Sequence, residues 1–171
     1  GDILTHAFRG TLNSLLDRNN EPINEAYEAR KRGVLFDVGY GKGSCSFAVS
    51  KELIRHHFLP DIVSSDLHAF NIDGPTYDLP TTMMKFVAMG MELKDVLTAA
   101  TLTPARALGL ADRIGSITVG HEADVCVFKL DEEGFDSTDP NGVELHVEHR
   151  MVPMMTIRGG EILWRHEDVA A

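Results

Sequence analysis

The chain has 171 residues, 43% of them apolar, and a formal net charge of −10. That length and apolar content supply a real core for one domain or a little more, and they exclude a disordered tail. The acidic balance repels a phosphate backbone, so nucleic-acid binding is not expected.

Gly1-Asp2-Ile3-Leu4-Thr5-His6 opens straight into a strand-like run. It has no initiator Met, no basic region and no cleavage site, so it does not read as a signal peptide. Residues 11–21 are polar and loop-like, with Asn19-Asn20 as turn formers. Pro22 suits a first helical turn, and the helix that follows should stop at Gly33. Arg30-Lys31-Arg32 falls at that helix end, where positive charge suits the dipole.

A strand over 34–38 then runs into Gly39-Tyr40-Gly41-Lys42-Gly43-Ser44. Ser44 or Ser46 can cap the next helix, which reaches about His57 with Phe47, Leu53 and Ile54 inward. Pro60 precedes a third strand over 61–65. Residues 69–80 form a long loop rich in Asn, Asp, Gly and Pro, of the kind that carries function. Thr81 or Thr82 should cap a helix bearing Met83, Met84, Val87 and Met91, with the methionines as core packing. Glu92 to Leu102 reads as another helix, and Thr103-Pro104 starts a short one that stops at Gly109.

The texture changes near residue 114. Ile114 to Val119 and Ala123 to Leu130 read as strands, and acidic, turn-rich 131–142 as an exposed hairpin loop. Met155 to Arg158, Gly159-Gly160 and Glu161 to Trp164 predict a β-hairpin. The expected division is 1–112, built of β/α units, and 113–171, a small all-β segment. No apolar run is long enough to span a membrane. Cys45 and Cys126 lack CxxC spacing and read as free thiols in a reducing compartment, hence the cytoplasm.

Three apolar runs each deliver a chemically capable residue at the tip. A neutral imidazole such as His6 is a common ligand for a catalytic divalent metal such as zinc, although a lone strand-end His also serves as an ordinary hydrogen-bonded residue. Asp66 could ligate a metal and take a proton from bound water, or simply turn the chain. His68 could orient a carbonyl or carboxylate, or lie solvated in a loop. The glycine-rich turn lacks the spacing of a P-loop and reads better as a tight strand-to-helix turn. Ser44, Cys45 and the histidines form no nucleophile–base pattern.

Taken together, Asp2-Ile3-Leu4-Thr5-His6, Phe36 through Ser44, and Ser64-Ser65-Asp66-Leu67-His68 resemble successive late strands of the amidohydrolase superfamily. Thr103 through Leu110, Gly115 through Val125, and Ile157 through Glu161 resemble its last helix and the return into a small β-sandwich. Gly74-Pro75 through Asp78-Leu79-Pro80-Thr81-Thr82-Met83 is similar to the dihydroorotase-like amidohydrolase/deacetylase branch.

The resemblance implies an α/β chain: the last three or so β/α units of a metal-dependent (β/α)8 TIM barrel, plus the C-terminal part of a β-sandwich. It implies that His6 and Asp66 bind a divalent metal, zinc first, and that Asp66 shuttles the proton in catalysis. His68, Tyr40 and Gly74 fall on the substrate side. Tyr40 stands where this branch carries a His, which implies an altered pocket or an altered contact behind the ligands. The family's remaining metal ligands would lie upstream of residue 1. The implied activity is hydrolysis of a C–N bond in a small amide or cyclic amide, with the chain inactive alone. The expected partner is another copy or a complementing N-terminal half. A non-catalytic assembly fragment and a deaminase on the same scaffold are the rivals; a nucleotide-binding protein is the remote alternative.

Overall fold

In the computed structural model, which describes residues 1–10 and 13–169, the first two strands are short and parallel. Strand β1 (Ile3–Leu4) pairs with β2 (Leu35–Phe36) in the register Ile3↔Leu35 and Leu4↔Phe36. The ladder continues as a parallel bridge from Asp37 to Ile62, and Val38 N and Tyr40 N donate to the carbonyls of Ile62 and Ser64. Three extended segments therefore lie side by side in chain order, all pointing the same way. Parallel neighbours need helical crossovers, and the intervening chain supplies them.

Helix α1 (Asn24–Lys31) ends at Gly33, whose φ of +90° is the left-handed stop expected there. Arg30 is more than a helix-end charge. Its guanidinium lies 3.8 Å over the Phe58 ring and donates to Leu59 O and Asp61, clamping α1 to the segment before the third strand. Helix α2 (Phe47–Arg55) is capped by Ser46, whose Oγ accepts from Val49 N, and it buries Phe47, Leu53 and Ile54. Helix α3 (Leu79–Ala88) starts two residues before the Thr81 or Thr82 expected as its cap. Asp78 takes that role, its carboxylate accepting from Thr81 N at 2.6 Å, and Pro80 fits the first turn. Helices α4 (Leu93–Ala100) and α5 (Leu102–Ala107) follow, and Gly109 ends the second with φ +71°.

The strand expected over Ile114–Val119 does not form. The segment is turns, with Ile117 and Val119 almost wholly exposed, because no neighbouring strand accepts it among the described residues. Strand β3 (Val125–Asp131) pairs antiparallel with β6 (Arg150–Arg158), which pairs in turn with β7 (Glu161–Arg165) across the Gly159-Gly160 turn. Strands β4 (Phe135–Thr138) and β5 (Glu144–Val147) form a separate hairpin. The acidic loop is therefore a hairpin with a purpose. Leu145, Val147 and Met151 join the core cluster of Phe8, Phe47, Met83 and Met84, so this part packs on the β/α units.

At the hairpin tip Asp139, 5% exposed, accepts from Phe47 N at 2.8 Å. It also accepts from Asn141 N and Val143 N, which fixes the tip on the start of α2. Apolar surface is open on both the parallel and the antiparallel strands. Ile3 and Leu4 of β1 are each 46% exposed, and Val127, Leu130, Ile162, Leu163 and Trp164 show apolar surface on the β3–β6–β7 sheet.

Candidate functional site

The chemistry gathers at the C-terminal tips of the three parallel segments. His6 and Asp66 both adopt the left-handed region, with φ of +55° and +47°. Such residues cost about 1–3 kcal/mol where nothing compensates, and they cluster at functional sites. Between them runs Gly39-Tyr40-Gly41, whose glycines also have positive φ, +49° and +53°. A Cβ on Gly39 would stand 2.6 Å from His6 Nδ1, and one on Gly41 would stand 2.7 Å from Asp66 Oδ2. The glycine-rich turn is thus a clearance for two side chains, which gives the bland reading of that motif a functional edge.

The His6 imidazole is oriented. Its Nδ1 lies 2.7 Å from Gly39 O. A carbonyl only accepts, so Nδ1 carries the proton and the neutral ring presents the Nε2 lone pair outward. His68 is set the opposite way. Its Nδ1 accepts from Phe70 N at 3.2 Å, which leaves Nε2–H as an exposed donor. One ring therefore offers a lone pair to a cation and the other a proton to an oxygen.

Asn71 holds the third tip. It is fully buried, its Nδ2 donates to Asp66 O at 2.9 Å and its Oδ1 accepts from His68 N at 2.7 Å. Its own carbonyl accepts from Gly74 N and Tyr77 N. Gly74, with φ +126°, lies under Tyr77, whose hydroxyl would be 2.8 Å from a Cβ there. Thr76, also buried, donates to Gly41 O at 2.9 Å and ties this loop to the glycine turn.

Tyr40 is placed differently from the substrate contact expected of it. Its side chain is 2% exposed, and its hydroxyl accepts from Lys85 Nζ at 3.1 Å and bonds Ser137 of β4. A side chain so enclosed packs the strand against α3 and the hairpin and leaves the rim to His6, Asp66 and His68. Burial holds the phenol well above its ordinary range and pulls the Lys85 ammonium down to about 8. Burial likewise pushes the Cys45 thiol up to about 12, so Cys45 is no nucleophile. Lys85 itself has no exposed surface, donates to Pro75 O at 2.5 Å and sits 4.3 Å over the Tyr40 ring.

Several of these residues escaped the sequence reading. Asp37 was legible only as a charge inside an apolar run, Phe36-Asp37-Val38. Lys85 was hidden within Met83-Met84-Lys85-Phe86, and nothing in the sequence marked Asn71 or Thr76.

Among the described residues, no group of three or more His, Cys, Asp or Glu side chains could hold a metal ion. The donor types fit a divalent metal, and His6 is oriented as a ligand is, yet this chain does not complete a centre. Structural and catalytic zinc sites need at least three protein ligands.

Parallel β/α units with chemistry at the C-terminal strand tips are the build of an α/β enzyme scaffold, closed barrel or open sheet. Residues 13–163 match the model of the Amidohydrolase family, and the chain belongs to that family. It is 34% identical over 164 residues to a deacetylase of Enterococcus faecalis, covering 95% of this chain and 44% of that protein. A deacetylase of Agrobacterium fabrum is 32% identical over 163 residues, covering 95% and 40%. Among solved structures, an adenine deaminase superposes with a TM-score of 0.90 at 32% identity, over 96% of this chain and 45% of that one. A dihydroorotase superposes with a TM-score of 0.80 at 28% identity, over 96% and 44%. The chain therefore spans less than half the length of the curated relatives it matches, and part of a TIM-barrel-like fold.

Proposed function

We propose that this chain is the C-terminal portion of a metal-dependent amidohydrolase that cleaves a C–N bond of a small amide or cyclic amide. The observation that carries the reading is the pair of left-handed strand tips, His6 and Asp66, each seated against a glycine that leaves it room. His6 Nε2 and the Asp66 carboxylate are two ligands of a divalent metal, zinc first, and the rest come from outside these residues. When bound, such a metal polarises a carbonyl and acidifies water. Asp66 takes the proton of the attacking water, and His68 Nε2–H meets a carbonyl or carboxylate of the substrate. Gly74, under Tyr77, borders the same loop on the substrate side.

Residues 1–112 form the last three β/α units of the barrel and 113–171 the C-terminal part of a β-sandwich. The open edge at Ile3-Leu4 and the exposed apolar residues of β3 and β7 support a complementing N-terminal half, or a second copy, as the partner. Two unpaired thiols suit the reducing cytoplasm, and no described helix is long and apolar enough to cross a membrane.

Hydrolysis of N-acetyl amino acids and of dihydroorotate tests the proposal, assayed with the chain alone and with a complementing half. Turnover only in the complemented sample is expected. Turnover by the chain alone contradicts the half-site reading, and none in either leaves a non-catalytic assembly fragment. The adenine deaminase likeness supports a second reading, release of ammonia from an amidine carbon. Ammonia from adenine without amide hydrolysis would select it.

A further inference from the structure

We propose that Asp37 is a positioning residue that sets the tautomer of His6 through Ser64 and the backbone of Gly39. This rests on the metal-ligand reading of His6 and adds what holds that ligand in its binding form.

Asp37 is 7% exposed, unusual for a carboxylate with no cationic partner among the described residues, and hydroxyls take up both of its oxygens. Ser64 Oγ donates to Oδ1 at 2.7 Å and Thr5 Oγ1 donates to Oδ2 at 2.6 Å. Asp37 thus joins the first and third tips from the middle strand. Ser64 cannot donate twice, so with its proton on Asp37 its oxygen faces the backbone as an acceptor. Gly39 N donates to it at 3.1 Å, and Tyr40 N donates to the Ser64 carbonyl at 3.0 Å. Both peptide groups flanking Gly39 are therefore held by Ser64. The Gly39 carbonyl, fixed in direction, accepts His6 Nδ1–H at 2.7 Å. Asp37 acts here by orientation: it holds the Ser64 proton so that Oγ meets Gly39 N, and with Tyr40 N on the Ser64 carbonyl this sets where the Gly39 carbonyl points. The bond from His6 to that carbonyl puts the imidazole proton on Nδ1 and leaves Nε2 bare.

The other imidazoles show no such arrangement. His146 Nδ1 bonds exposed Asp136 directly, and His68 accepts at Nδ1. A buried carboxylate acting at one remove, through a serine and a glycine, is peculiar to His6 among the described residues.

The test reads the tautomer, so it needs no bound metal and no turnover. Uniformly 15N-labelled chain is examined by two-bond 1H–15N correlation at a pH where His6 is neutral, with the His6 signals assigned by their loss in His6→Gln. The wild type should show Nδ1–H as the dominant form. Ser64→Ala and Asp37→Asn should both move population to Nε2–H. Thr5→Val, which removes a hydroxyl on Asp37 but outside the path to Gly39, should leave the tautomer as it was. If Asp37→Asn does not fold, Ser64→Ala decides alone. A wild type with Nε2–H dominant, or folded Asp37→Asn or Ser64→Ala with the wild-type tautomer, overturns the proposal. Zn2+ affinity of the complemented protein, falling about 10–100-fold in Ser64→Ala, then reports separately on the metal reading. The tautomer pattern without any Zn2+ binding would sink that reading and leave the relay intact.

Discussion

Replacing Gly39 by alanine probes how tightly the turn is built around His6. Two costs add. At φ +49° an L-residue pays about 1–2 kcal/mol for the left-handed conformation. The new Cβ would also stand 2.6 Å from His6 Nδ1 and 2.6 Å from Thr5 Oγ1. Ordinary contact begins at 3.4 Å, so the imidazole must retreat by 3.4 − 2.6 = 0.8 Å. That would stretch the 2.7 Å bond from Nδ1 to Gly39 O beyond hydrogen-bonding range, a further loss of about 1 kcal/mol. The total is about 2–3 kcal/mol. Gly33→Ala is the control, because Gly33 has φ +90° and nothing within 4 Å of a Cβ. It should cost only the dihedral, about 1–2 kcal/mol. Urea unfolding of both variants, with unchanged slopes, gives the difference directly. Losses equal within about 0.3 kcal/mol, a gap too small for a lost hydrogen bond, would refute the claim that His6 occupies the space a side chain needs.

Lys85 gives a pH prediction. Its ammonium titrates at about 8 in the folded chain against 10.5 normally, so between those values the unfolded chain binds more protons and stability rises with pH. The gain from pH 7 to 9 is about 1 kcal/mol. Above 9 the raised Cys45 and Tyr40 groups act the other way, since the unfolded chain loses their protons first. Denaturation midpoints against pH should rise for the wild type and not for Lys85→Met; a rise in both would assign the slope elsewhere. Asp139→Ala should cost about 2–3 kcal/mol, because Phe47 N is left buried without an acceptor, and Asp139→Asn less. Equal stability of all three proteins by urea titration would show that the hairpin tip does not anchor α2.

What the sequence disclosed depended on the range of the interactions. Helix ends at Gly33 and Gly109, the Ser46 cap and the Gly159-Gly160 hairpin are set by residues within one turn, and all were readable. The strand expected over Ile114–Val119 does not form because it has no partner strand among the described residues, and pairing is what makes a strand. The acidic loop hid a buried Asp139, whose partner at Phe47 lies 92 residues away. At the site, His6, Asp66 and His68 were visible as residues at strand tips. Their support was not, since Asp37, Ser64 and Asn71 act through contacts that only the folded chain brings together. Tyr40 stands where the resembling branch carries a His, which implied an altered pocket or an altered contact behind the ligands. In the fold it is enclosed with Lys85 and Ser137.

The central claim is that His6 and Asp66 are metal ligands of a centre shared with residues outside this chain. Elemental analysis of purified protein tests it, with this chain co-expressed alongside a polypeptide supplying the preceding barrel units of its relatives. The account predicts bound divalent metal in the complex, little in the chain alone, and a sharp loss in both His6→Ala and Asp66→Asn. Metal content unchanged by either substitution would contradict it.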